Sequence, residues 1–326
     1  MNDVPIILSA QDVEEQTRRI DVLTVMRHMF AALGEGSAAQ PPQTLTLFPG
    51  GFGDFITYPG VLATAKVFGA KLSPYIEGSA GAPSLVTAWT LLMSMETGCP
   101  LLLCDAKALT IERTAATTAL AVDLLAPRAC SRLAIVGTGP VARAHLRHVR
   151  SLREWREIRI YSPRMATSPE LHTLLRALED RVRLEPNLAS AARNAEVILL
   201  CTSSGTPVLD PAHLQEPALI TSISTNAPRA HEVPPSALVA MDVYCDYRVT
   251  TPANAGEMQL AAENGWSPDA ILGDLPELVL GKAKMPEYNR HTYFRSIGLG
   301  LEDIAVAEAV YREFLKGPAR NSSTSI

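Results

Sequence analysis

Cysteine is scarce in this chain: five residues in 326, Cys99, Cys104, Cys130, Cys201 and Cys245, with no C-x-x-C pair among them. Most sit inside apolar runs, where a free thiol behaves as a small hydrophobe, which argues against a disulfide scaffold and for a reducing compartment. Positive charge is also short. Lys and Arg total 29 against 34 Asp and Glu, and no stretch packs basic residues among aromatics, so nucleic acid is not an expected partner. Long hydrophobic runs are missing: the longest charge-free stretch, Gly78 to Met95, is broken by Gly, Ser, Thr and Pro83 and is too polar to cross a bilayer. Met1-Asn2-Asp3-Val4-Pro5 lacks the basic and apolar regions of a signal peptide. The expectation is a cytoplasmic chain with no membrane partner. No G-x-S-x-G occurs, and no Ser or Cys is marked as a nucleophile by its surroundings.

What is present is enough for about two domains at roughly 150 residues each. Ser9 is placed to cap a helix whose apolar residues run through Val13, Ile20, Leu23, Met26, Phe30 and Leu33, with a break at Asp21 and a stop at Gly34 and Gly36. Gln43 to Cys104 reads as a β-rich block of short apolar runs, with Thr97-Gly98-Cys99-Pro100 as a hairpin turn inside it. Thr110 is the expected cap of a helix reaching about Ala126, ended by Pro127. After Arg132 apolar strands alternate with helices, at residues 133–136, 158–161, 197–200 and 219–223, the pattern of a parallel sheet covered on both faces. A last helix spans about Glu302 to Leu315.

Gly137-Thr138-Gly139-Pro140-Val141-Ala142 is G-x-G-x-x-A between an apolar strand and a helix. The first Gly makes a tight turn, the second lets a pyrophosphate approach the backbone, and the Ala packs helix on strand, with phosphates at the helix N-terminus. The next strand ends at Tyr161-Ser162-Pro163-Arg164, where an NAD enzyme normally places a carboxylate for the ribose hydroxyls. Ser162 and Arg164 suit a 2′-phosphate instead, so NADP(H) is preferred and NAD(H) is possible; the plainer alternative for Arg164 is an exposed loop residue.

Arg113 falls in the expected first turn of its helix, where a cation is locally unfavourable and implies an anion nearby. Glu112 is one candidate anion; a substrate carboxylate or cofactor phosphate is the other. Lys71 and Lys66 lie on opposite faces of a β-pattern, and alternation alone does not say which faces a pocket. His145 and His148 have no further ligand near in sequence and read as helix-surface imidazoles, so no metal is expected.

Several segments together resemble the ornithine cyclodeaminase/mu-crystallin family. They are Gly69-Ala70-Lys71, Glu96 to Pro100 leading to Asp105, Leu109-Thr110 to Arg113-Thr114-Ala115-Ala116, Val136 to Gly139, Gly256-Glu257, Gly281-Lys282, and Phe294 to Gly298 through Glu302-Asp303. The resemblance implies an α/β protein with a Rossmann dinucleotide-binding domain, residues 127–298, inserted into a split α+β substrate-binding and dimerisation domain, residues 1–126 and 299–326. It also implies homodimers and a small amino or imino acid held near a nicotinamide. By position, Lys71 would touch the substrate near its reacting carbon, Arg113 would bind its carboxylate, and Thr114 would approach the cofactor. Thr202, Ser203 and Ser296 complete the cofactor-binding positions.

Three departures from the family pattern bear on mechanism. Gln43 follows Pro41-Pro42 where cyclodeaminases carry an Arg, Ile56 falls where they carry a Glu, and Asn226 stands at their catalytic Asp. An amide cannot serve as a general base, and a second substrate ammonium would lose its counter-ion. The leading expectation is therefore an NAD(P)H-dependent reductase of an imino acid, or dehydrogenase of the matching amino acid. Lys71 would polarise or protonate the imine, Arg113 would hold the carboxylate, Asn226 would orient, and Gln43 and Ile56 would line the substrate site. Ornithine cyclodeaminase is the first alternative, and a non-catalytic NADPH-dependent ligand-binding protein the second.

Overall fold

The structure, a computed structural model, describes residues 4–78, 84–163, 169–225 and 227–317. Two of the candidate site residues named above, Arg164 and Asn226, lie outside them, as do Met1 to Asp3 and Pro83. The chain divides into two compact units, one made of residues 1–113 with 299–326 and the other of residues 114–298.

The first unit is α+β. It begins with β1 (Ile6–Leu8), α1 (Ala10–Thr17) and α2 (Val22–Gly34). Ser9 forms a capping box with Asp12, and Asp21 caps the second helix after the expected break. The strands β2 (Ala38–Ala39), β3 (Thr44–Leu47), β4 (Gly53–Leu62), β5 (Val67–Ile76), β6 (Leu85–Val86), β7 (Trp89–Ser94) and β8 (Pro100–Asp105) follow. They form one sheet in the order β1-β8-β7-β5-β4-β2, with β3 on β4 and β6 on β5. All pairings are antiparallel except β1 with β8.

Because strand side chains alternate, β5 has two unlike faces. Val67, Gly69 and Lys71 lie beneath the last helix of the chain, Gly300–Lys316, whereas Phe68 and Leu72 of β5, with Trp89 and Leu91 of β7, are 37–46% exposed on the other face. Ile7 of β1 extends that apolar face.

The helix α3 (Lys107–Leu125) starts earlier than its sequence indicates. Asp105 accepts from the Lys107 N–H at 2.9 Å, so the helix starts before Thr110, which lies inside it. Arg113 is consequently in the second turn, outside the strongest part of the helix dipole. The two compact units divide within this helix, at Arg113/Thr114, and the helix itself ends at Leu125, two residues before Pro127.

The second unit is α/β. Its elements are β9 (Arg132–Val136), α4 (Pro140–Val149), β10 (Glu157–Tyr161), α5 (Pro169–Leu178), β11 (Val182–Leu184), α6 (Leu188–Ala192), β12 (Val197–Leu200) and β13 (Leu219–Ser222). They are followed by β14 (Asp242–Cys245), α7 (Thr251–Asn254), α8 (Gly256–Ala262), β15 (Ile271–Asp274), α9 (Leu275–Val279) and β16 (Thr292–Arg295), and α10 (Gly300–Lys316) returns to the first unit. All eight strands are parallel, in the order β11-β10-β9-β12-β13-β16-β14-β15. This is the doubly wound Rossmann arrangement, and the order reverses at β9, the strand that feeds the glycine loop.

A buried charge cluster tightens its far half: Arg295 Nε lies 3.0 Å from Glu257 Oε1, which also accepts from the Tyr293 hydroxyl at 3.1 Å. Among the described residues no helix is long and apolar enough to cross a membrane. Burial pushes the Cys104 thiol up to about 12 and those of Cys201 and Cys245 well above the usual value, so these cysteines pack rather than react.

Candidate active site

In the first unit, four buried charges from three elements meet. Lys71 of β5 places its Nζ 2.8 Å from Asp303 Oδ2 on α10. Arg113 of α3 reaches the other oxygen of the same carboxylate, Nε to Oδ1 at 3.2 Å, and Glu302 Oε2 with Nη1 at 3.1 Å. Lys71 is 3% exposed, Arg113 5%, and both carboxylates 0%. Two cations thus face two anions, which is how buried charge is tolerated. The anion demanded by Arg113 is therefore this pair and not Glu112. The Nη2 end of Arg113 carries no hydrogen bond among the described residues, leaving part of the guanidinium fork for a carboxylate.

Lys71 also donates to Thr110 Oγ1 at 3.4 Å and lies 4.3 Å from the centre of the Tyr58 ring, its cross-strand neighbour on β4. Burial lowers the Lys71 pKa to about 8; Asp303 resists that fall and Arg113 adds to it. A lysine so tuned exchanges a proton near neutral pH. Burial works against charge on Arg113, but Asp303 and Glu302 outweigh it and hold its pKa above the ordinary value. Lys66, by contrast, precedes β5, is exposed, and pairs with Glu96 at 2.5 Å. Ile56 is two positions from Tyr58 on β4 and so shares its face, and Gln43, half-buried, immediately precedes β3.

The glycine loop stands at the carboxyl end of β9. Gly137 has φ +127°, and a Cβ there would lie 2.5 Å from the Cys201 carbonyl oxygen, so only glycine fits. Gly139 is the N-cap of α4, no side chain caps that end, and nothing lies within 4 Å of where its Cβ would be. Pro140 occupies the first turn, Val141 is half-buried, and Thr138 and Ala142 are buried. An uncapped helix start with open space above it is a fitting cradle for a dinucleotide pyrophosphate.

Ser162 is buried at the end of β10. Thr202 and Ser296 follow β12 and β16, and each hydroxyl donates to a buried carboxylate, Thr202 to Glu232 at 2.6 Å and Ser296 to Asp246 at 3.1 Å. Ser203 is exposed, and Thr114 follows Arg113 on α3. His145 departs from its sequence reading: it is fully buried, its Nδ1 2.8 Å from the Val141 carbonyl, because that face of α4 packs inward. Among the described residues no group of three or more His, Cys, Asp or Glu is arranged to hold a metal ion.

The sequence reading leaves four contributors without a role. Glu302 and Asp303 are charged residues opening an otherwise apolar helix face, Ile304 to Ala307, and buried charge in such a face signals distant partners. Glu232 accepts from five donors of residues 202, 222, 223 and 224, and Asp246 from Tyr247, Thr251, Ser296, Ile297 and Gly298. Neither sits in a recognisable motif; each fastens the carboxyl ends of strands beside positions expected to meet the cofactor.

Comparisons with known proteins find relatives along nearly the whole chain. Residues 3–317 match the model of the ornithine cyclodeaminase/mu-crystallin family. The chain is 58% identical to an NAD(P)H-dependent anabolic L-arginine dehydrogenase of Pseudomonas aeruginosa, over 94% of this chain and 97% of that one. An archaeal alanine dehydrogenase dimer with bound NAD superposes with a TM-score of 0.85 at 25% identity, covering 96% of each chain. The Thermococcus litoralis Δ1-pyrroline-2-carboxylate reductase, solved with NADH and L-proline, superposes with a TM-score of 0.86 at 24% identity, covering 95% of this chain and 98% of that one, a likeness of fold.

Proposed function

The chain belongs to the ornithine cyclodeaminase/mu-crystallin family, and we propose that it is an NAD(P)H-dependent amino acid dehydrogenase that forms, or in reverse oxidises, L-arginine through its imine. The observation that carries this reading is the buried cluster of Lys71, Asp303, Arg113 and Glu302, which presents one tuned proton donor beside one carboxylate-binding fork. In the reductive direction the 2-oxo acid and ammonia lose water to give the imine. A nicotinamide cofactor held at the glycine loop, Gly137 to Ala142, would supply the hydride that reduces the imine carbon. Arg113 holds the substrate carboxylate, and Lys71 Nζ delivers a proton to nitrogen, with Asp303 keeping the lysine charged until it does. The burial of Lys71, Arg113, Glu302 and Asp303 strengthens each of these interactions.

The cofactor positions are Gly137 to Ala142, Ser162, Arg164, Thr114, Thr202, Ser203 and Ser296, and the pairing of Ser162 with Arg164 in sequence favours NADP(H), with NAD(H) also accepted. The neutral residues Gln43, Ile56 and Asn226 favour a single hydride step over cyclodeamination, since they remove carboxylates and a cation that the longer reaction would use. Residues 114–298 form the cofactor domain, and the split first unit binds substrate and pairs two chains. The exposed apolar sheet face of Ile7, Phe68, Leu72, Trp89 and Leu91 supports a homodimer, because monomers rarely leave such a face open. The free cysteines support a cytoplasmic location.

The test is product analysis. Oxidation of NADPH with the 2-oxo acid of arginine and ammonia, yielding arginine in equal amount, is the expected result. Conversion of ornithine to proline and ammonia with catalytic cofactor, in the absence of that reaction, would overturn it.

A further inference from the structure

The sheet face that carries Lys71 holds one more carboxylate, on Asp54 at the start of β4. Asp54, Ile56 and Tyr58 alternate onto the same face of β4, and their cross-strand partners on β5 are Tyr75, Ser73 and Lys71. Asp54 is half-buried, yet its side chain has no ion pair and no hydrogen bond among the described residues. The two acids of α10 beside Lys71 differ: Asp303 is held by Lys71 and Arg113, and Glu302 by Arg113. Burial lifts the Tyr58 hydroxyl above its ordinary pKa, Arg113 opposes, and Asp303 and Asp54 both add to the lift, so the Asp54 charge is felt at Tyr58.

We infer that Asp54 is the counter-ion for the cationic side-chain end of the amino acid, and so a specificity-determining residue of this site. The inference rests on the amino acid dehydrogenase reading above. Along the face the chemistry runs from the cationic fork of Arg113 and Lys71, past the neutral Tyr58, Ile56 and Ser73, to a lone carboxylate. That order complements a molecule with an α-carboxylate, a methylene chain and a terminal guanidinium or ammonium. For an α-carboxylate level with Tyr58, the cross-strand neighbour of Lys71, the dimensions agree. Four residues of strand separate Tyr58 from Asp54 by roughly 13 Å between Cα atoms. An extended arginine covers roughly 7.5 Å from carboxylate carbon to guanidinium carbon, six bonds advancing about 1.25 Å each. The remainder is of the size that a carboxylate side chain and one hydrogen bond span. Ile56, uncharged, lies along the methylenes, and the Asp54 carboxylate is set one strand period further out.

The experiment compares L-arginine with L-citrulline, a near-isostere whose end is an uncharged ureido group. The kcat/KM ratio of arginine to citrulline, at saturating NADP+, should fall at least tenfold in Asp54→Asn and recover in part in Asp54→Glu. A ratio within twofold of the wild type would overturn the assignment, as would an equal loss on both amino acids. Asp54→Ser serves if the Asn variant does not fold. Failure of the dehydrogenase reading looks different: wild-type protein would then oxidise neither amino acid. Calorimetric titration of both into the NADP+-loaded protein reads Asp54 without turnover. Binding of arginine should weaken at least tenfold in Asp54→Asn while citrulline is affected far less; no difference between the two would overturn the assignment by this route also.

Discussion

Lys71 and Asp303, on a strand from the first quarter of the chain and a helix from its end, meet at 2.8 Å with both side chains buried. The lysine would lose its proton readily in so dry a place, and the carboxylate limits that loss. With its pKa at about 8, the protonated form needed in the reductive direction is the majority below pH 8 and the minority above it. The reductive kcat should accordingly fall as pH rises through about 8. Asp303→Asn removes the group that raises the Lys71 pKa, so the fall should move to lower pH. A pH profile of both proteins measures this, and an unmoved limb would detach Asp303 from the proton donor.

Arg113 touches two carboxylates that are fully buried, so truncating it leaves them uncompensated. Arg113→Ala should cost about 3–5 kcal/mol of stability, measured by denaturant unfolding. Arg113→Lys keeps the charge but not the fork. It should raise KM for the amino acid about tenfold or more and lower kcat, with NADPH affinity largely retained.

The two loop glycines should fail in different ways. Gly137→Ala meets the Cys201 carbonyl at 2.5 Å in a left-handed conformation and should lose about 1–3 kcal/mol of stability. Gly139→Ala points into open space, so thermal stability should hold within about 0.5 kcal/mol while KM for the cofactor rises. Equal stability of the two variants would contradict this account of the loop.

The apolar sheet face predicts self-association. Sedimentation equilibrium should show a dimer, and Leu72→Lys or Leu91→Lys should shift it toward monomer. A monomeric wild-type protein at micromolar concentration would remove that role from the face.

How much of this was legible in the sequence follows from the range of the interactions involved. The glycine loop, the Ser9 and Asp21 caps and the turn near Gly98 are set by residues a few positions apart, and the structure has them where local rules place them. The start of α3 is misplaced because Asp105 and Thr110 are both eligible partners for a helix start, and only the structure shows that the Lys107 N–H bonds to Asp105. His145 is buried because its helix packs on that face, which a polar residue type conceals. The charge cluster joins positions 71, 113, 302 and 303, so no spacing rule links them; the resemblance supplied roles for the two cations and none for the carboxylates. Strands β14, β15 and β16 have the same length as β12, but Asp242, Gly273 with Asp274, and Thr292 with Arg295 break up their apolar runs, and they take their place from neighbours in the sheet.

The most direct test of the central claim is the yield of arginine per NADPH oxidised, from its 2-oxo acid and ammonia, in wild-type protein and in Lys71→Met. The account predicts equal amounts of arginine formed and NADPH consumed by the wild type. It predicts a loss of about 100-fold or more in Lys71→Met with NADPH binding retained. A wild-type protein that forms no amino acid, or a Lys71→Met variant that matches it, would contradict the account.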